Sequence, residues 1–167
     1  MGYTRQVKAM LHVISQMTPY EVDIAKLSKA SGISRLSTLK YLTHLDESRL
    51  IRRLFTDLKN VTDLQKPDKM YLDNTNLLYT LSQKMPEIGP VRETFFANQL
   101  ASAGHVVEYA GFKSGDFRIN GDIIVEVGGQ DKGFNQIAGQ PNAYVAADGI
   151  ESAFLRKIPL WAFGFLY

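Results

Sequence analysis

The chain of 167 residues has no cysteine, one tryptophan and three histidines. Without cysteine there is neither a disulfide framework nor a thiolate metal site. No uninterrupted apolar run approaches the roughly 18 residues that a membrane span needs; the longest candidate, P-L-W-A-F-G-F-L-Y at the C-terminus, is about half of that. The first residues carry Arg5 and Lys8 but no apolar signal region, and Gln6 stands where a myristoylation pattern needs Ser or Thr. No G-x-x-x-x-G-K-[ST] occurs, so the chain has no phosphate-binding loop of the nucleotide-hydrolysing type. Internal repeats and low-complexity tracts are also lacking. What remains is 45% hydrophobic and 22% charged, a globular balance that excludes disordered and fibrous classes. The expectation is a soluble, cytoplasmic protein with no membrane partner.

The small net charge of +2 hides an asymmetry. Residues 1–89 hold 13 Lys and Arg against 9 Asp and Glu, whereas residues 90–167 hold 6 against 8. Between them Q-K-M-P-E-I-G-P, ending at Pro90, interrupts helical periodicity. The reading is two modules, 1–84 and 90–167. Helices are expected near 4–17, 21–31, 35–47, 74–83 and 90–103. Strands are expected near 50–55, 68–72, 105–110, 115–119, 122–127, 142–147 and 160–166. A basic first half suits a phosphate backbone, though a solvated helix face would look the same.

In the first module Ile24, Leu27 and Ala30 recur at helical spacing, Gly32 offers a turn, and Ser34 can cap the next helix. There Leu36, Leu39, Leu42 and Leu45 are read as one apolar stripe, leaving Arg35, Ser37, Thr38, Lys40, Tyr41 and His44 largely outward. His44 is a solvated or groove-facing ring rather than a metal ligand. R-L-I-R-R-L-F and K-M-Y-L have strand composition. Two helices at a sharp turn followed by a ribbon make a winged helix-turn-helix. Its second helix would enter a DNA major groove through Arg35 and Lys40, with Arg52, Arg53, Lys59 and Lys66 near the wing. The same module can instead dock a protein.

In the second module D-F-R-I-N-G-D-I-I-V-E-V-G-G reads as a hairpin about Asn120-Gly121. A two-residue loop would split Asp116 and Glu126 between the faces. A three-residue loop, Ile119-Asn120-Gly121, pairs Phe117 with Ile123 and Arg118 with Asp122. Phe117, Ile123, Val125 and Val127 then share the apolar face, and Asp116 and Glu126 share the other. Glu93, spaced i, i+3, i+7 with Phe96 and Leu100, adds a third carboxylate on an inward face; an N-terminal Glu favoured by the helix dipole is the alternative.

A helix bearing Glu, followed by strands bearing Asp and Glu, resembles the PD-(D/E)XK nuclease-like fold. Over residues 20–167 the chain further resembles the C-terminal region of a large family of prokaryotic AAA+ ATPases. There a winged helix precedes a restriction-endonuclease-like domain of unknown function. The resemblance rests on L-S-K-A-S-G-I-S-R-L-S-T-L-K-Y-L, P-V-R-E-T-F-F-A-N-Q-L, D-F-R-I-N-G-D-I-I-V-E-V-G-G-Q-D-K and K-I-P-L-W-A-F-G-F-L-Y. It implies an α+β or α/β chain, a winged helix-turn-helix followed by a domain of αβββαβ order. Glu93, Asp116 and Glu126 would bind Mg²⁺ and serve catalysis with it. The lysine that the pattern sets two residues after the second acid is here Gly128; Lys132, or Lys113 from the preceding strand, would supply the ammonium, and Gln136 would align a backbone. ATP would be bound only by an N-terminal ATPase region outside this chain. DNA is the implied partner, and a homo-oligomer is allowed. A docking or scaffold module without catalysis is the alternative function.

Overall fold

The computed structural model describes residues 2–17, 20–56, 62, 65–111 and 113–166 of a mixed α/β chain. It divides into two units, Met1–Glu87 and Ile88–Tyr167.

The first unit begins with helix α1 (Gly2–Ser15), a two-residue strand β1 (Tyr20–Glu21), and the helices α2 (Ile24–Ser31) and α3 (Arg35–Glu47). Asp23 rather than the preceding residues starts α2: its carboxylate accepts the Ala25 and Lys26 amides at 2.9 and 3.1 Å. The Lys26 amide bond leads in holding that carboxyl below its usual pKa, so the cap weakens only as acid protonates it. Gly32 closes the helix at φ 67, where a side chain would be strained, and the Ser34 hydroxyl caps α3 through the Ser37 amide. Strands β2 (Ile51–Leu54) and β3 (Lys69–Leu72) pair antiparallel, with β1 on the other side of β3. Helix α4 (Thr75–Leu81) follows. The core joins Met10, Ile14, Leu27, Leu42, Ile51 and Leu72. Lys59 lies outside the described residues.

The expected leucine stripe on α3 does not exist as a stripe. Steps of three residues rotate each side chain by about −60° from the last, so Leu36 and Leu45 fall on opposite sides. Leu42 is fully buried, whereas Leu36 is 56% exposed. The buried position one turn before Leu42 is Thr38, whose hydroxyl donates to the Ser34 carbonyl at 2.9 Å.

The second unit opens with helix α5 (Ile88–Ser102), which places Pro90 in the first turn, where its missing N–H is harmless. A five-stranded sheet follows in the order β4 (Val107–Tyr109), β5 (Phe117–Ile119), β6 (Ile123–Gly128), β7 (Ala143–Ala147), β8 (Lys157–Pro159). The first three strands are antiparallel, and β7 and β8 run parallel to β6 and to each other. One face buries Phe117, Ile119 and Val125, with Phe96 of α5 packed 5.2 Å from the Phe117 ring and 4.8 Å from Phe163. The other buries Ile124, Ala143 and Val145 beneath Ile137. Next to the first face lies an apolar cavity of about 410 Å³, lined by Leu100, Ile123, Tyr144, Ile158 and Leu166 among others.

Three expectations need correction here. The αβββαβ order fails, because the 14-residue connection between β6 and β7 holds a short 3-10 turn (Asn135–Ile137) in place of an α-helix. Gly129, Gly133, Gly139 and Pro141 break that segment too often for a helix. The terminal strand at 160–166 is a 3-10 helix (Leu160–Phe165) preceded by β8. Leu160 and Phe163 of this helix and Leu166 just after it are less exposed than Trp161 and Phe165 and recur every third position, the period of such a helix and not of a strand. The hairpin register is Phe117–Val125, Arg118–Ile124 and Ile119–Ile123, two residues from the one expected. Asn120 and Gly121 take φ of 52 and 78, the Asp122 amide donates to the Ile119 carbonyl at 3.2 Å, and Ile119 stays in the strand and in the core. A slip of two preserves the faces, so the sharing of one face by Asp116 and Glu126 survives it.

Leu42→Ala should lower unfolding free energy by about 2–5 kcal/mol, as for a buried leucine. Leu36→Ala should change it by less than about 0.5 kcal/mol. Urea denaturation of both variants checks the drift of the stripe.

Candidate functional site

Glu126 sits in the middle of the longest strand of the second sheet and is 1% exposed. A carboxylate buried there must find a cation or a hydrogen-bond donor, or lose its charge. Its Oε1 is paired with the Lys132 ammonium, while its Oε2 has no hydrogen-bond partner. Asp116 immediately precedes β5; its amide donates to the Val125 carbonyl, and its Oδ2 accepts the Val127 amide at 2.8 Å. Continuing the hairpin register by one residue sets Asp116 beside Glu126.

Burial alone would lower the Lys132 pKa. The hydrogen bond and charge of Glu126 outweigh it, with the charges of Asp116 and then Glu93 behind them, and the pKa is raised. Lys132 is therefore charged at neutral pH, and the stability contributed by its raised pKa is present there and is lost as pH rises through the raised value. Lys132 makes the contact with Glu126, and Lys113 is exposed in the turn before β5. Glu93, half-buried on α5, acts on the same ammonium through its charge. The mutual repulsion expected of three bare carboxylates is thus offset from within the chain.

The turn carrying Lys132 is held on several sides. The Lys132 amide donates to the Gly129 carbonyl at 3.0 Å, and the Asp148 amide donates to Gly128 at 2.8 Å. The Lys157 ammonium donates to the Gln130 carbonyl at 2.9 Å. Arg92, one residue before Glu93, pairs with Asp148 at 2.9 Å, its guanidinium lying against Gly129. Sequence reading missed Arg92, Asp148 and Lys157; the only available signal was the adjacency of Arg92 to Glu93. Gln136 is exposed and, with Lys132, Gly133 and Asn135, lines a hollow of about 220 Å³.

Fit to Mg²⁺ is partial. Among the described residues, no three His, Asp or Glu side chains form a group that could hold a metal ion. Yet the donors are hard oxygens suited to that ion, and Glu126 Oε2 is a buried carboxylate oxygen awaiting a partner.

The four cationic residues expected to contact DNA separate into two pairs. Arg35 and Lys40 are exposed on α3, where His44 is also exposed and lies 3.3 Å from Glu47. Arg52 and Arg53 are tied into the unit and are not offered to a phosphate backbone. Arg52 pairs with Asp73 at 2.6 Å. Burial pulls its pKa down against the charge of Asp73, and its Nε has no partner. Arg53 donates to Asp46 at 3.0 Å and to the Thr43 hydroxyl at 3.0 Å, joining β2 to α3. Lys66 is exposed.

The chain matches no protein-family model, no curated protein and no solved structure with which it was compared.

Replacing both Arg52 and Arg53 with Glu therefore removes two internal pairs and sets like charges against Asp73 and Asp46. The first unit should unfold, or melt far below the parent, rather than lose only a ligand. Asp73→Ala alone, by stranding a mostly buried guanidinium, should cost about 3 kcal/mol; a denaturant titration reads both.

Proposed function

We propose that the chain is a nucleic-acid-binding protein of two parts. The first unit acts as a winged helix-turn-helix that offers α3, with Arg35 and Lys40, to duplex DNA. The second is a restriction-endonuclease-like domain whose Glu93, Asp116, Glu126 and Lys132 address a phosphodiester. The observation that carries this reading is the Lys132 ammonium on buried Glu126, with Asp116 alongside on the same face of the sheet. A lone buried carboxylate is costly, whereas acids gathered about one ammonium suit phosphate chemistry.

Asp116 and Glu126, with Glu93, would hold Mg²⁺. When bound, it would supply Lewis-acid stabilisation of a phosphoryl oxygen and a water of lowered pKa. Lys132 would neutralise charge on the phosphate, and Asp116 keeps the strand end in place through the Val127 amide. In keeping with the AAA+ resemblance, the two units would serve as an accessory region to an ATP-hydrolysing partner. A second reading, a scaffold without catalysis, is favoured by one observation: Glu126 already has its cation in Lys132.

Two measurements test the proposal. In mobility shifts the affinity for duplex DNA should fall with salt, by about 0.9 log unit per log unit of salt for each phosphate contact. Arg35→Glu with Lys40→Glu should abolish the shift without moving the melting temperature; a shift indifferent to salt or to this pair rejects DNA binding by α3. Millimolar Mg²⁺ should raise the melting temperature of the parent but not of Asp116→Asn, and Mg²⁺-dependent nicking of plasmid should disappear in the same variant. A parent whose melting ignores Mg²⁺ and which leaves DNA intact has the scaffold function.

A further inference from the structure

Gly128 faces the same side of β6 as Glu126, two residues on, and its neighbour in space is the stem of Lys132. A methyl group built on Gly128 would stand 2.7, 2.8 and 2.8 Å from Cγ, Cβ and Cδ of that lysine. Carbon atoms at rest keep about 3.5–4.0 Å apart. The overlap includes Cβ, which no rotation about the side-chain bonds can move. Any residue larger than glycine must therefore shift the backbone of the turn at 129–132. That turn has little freedom to shift, with Arg92 against Gly129, Lys157 on the Gln130 carbonyl and the Asp148 amide on Gly128.

We infer that Gly128 is a positioning residue for Lys132: positions 128 and 132 share one volume, and leaving it empty on the strand admits an ammonium from the loop to Glu126. The inference deepens the site reading by assigning the source of its positive charge to the turn rather than to the strand. Charge at Glu126 is consequently tied to the placement of four residues of turn.

Two measurements on the full chain test it, and neither uses nucleic acid or Mg²⁺, so it stands or falls separately from the proposed function. The first is the acylation rate of each lysine, read by peptide mass mapping. In the parent Lys132 should react more slowly than exposed Lys40; in Gly128→Ala it should react as fast as Lys40. The second is a double-mutant cycle in the Glu126→Gln protein, where removing the lysine strands no carboxylate. There Gly128→Ala should lower the melting temperature by about 5 °C or more, yet leave it unchanged once Lys132→Gly is present. If Gly128→Ala fails to fold and the double variant folds, the coupling is shown in a stronger form. An equal loss with and without Lys132, failure of both variants to fold, or a Lys132 no more reactive in Gly128→Ala overturns the inference.

Discussion

A carboxylate at the centre of a sheet strand with both faces covered constrains everything around it. Glu126 is flanked in β6 by buried Val125 and Val127, and β5 and β7 pair on either side. Water cannot solvate it there, so the chain must bring the counter-charge to it. Gly128 at the end of β6, the turn that follows it and the Arg92–Asp148 pair together deliver one ammonium to that place. An apolar residue at 126 would pack more easily. The chain instead carries the acid and pins its partner from several sides.

The first unit handles charge in the opposite way. Arg52 ties β2 to Asp73 just after β3, and Arg53 ties β2 to α3, so two of the cations read along the sequence are paired internally. Other cations stay outward, Arg35 and Lys40 on α3 and others such as Lys26, Lys29 and Lys66 elsewhere on the unit. Composition counts charges without regard to their partners: the two internal pairs leave the net of +4 in the first 89 residues unchanged, but they decide which cations an approaching anion can reach.

The two long helices around Gly32, the cap at Ser34 and the alternation of hairpin strands were legible because each depends on residues within one or two turns of each other. The leucines of α3 misled because adjacent pairs fit a helical face while the set of four does not. The segments after β6 and after β8 were misread for a related reason. A 3-10 period of three and a glycine-broken crossover leave weaker marks than α or β periods do. Of the site, Glu126 beside Asp116 followed from parity along the strand, which survives a slip of two. Lys132 was legible as a candidate, but the guanidinium, ammonium and amide that hold its turn were not, because they come from residues far apart in the chain.

The sheet of the second unit also bears on how such chains coexist at high concentration. Its edges, β4 and β8, are three residues long, whereas central β6 has six. An edge of that length offers a neighbouring chain only a few free backbone groups, and β8 adds a charged Lys157 at its start and a proline at its end. The longest strand is thereby kept inside, and edge-to-edge sheet growth, the usual route from folded β-structure to aggregate, is blunted at both sides. Self-association of this unit would have to proceed through side chains, not through shared strands.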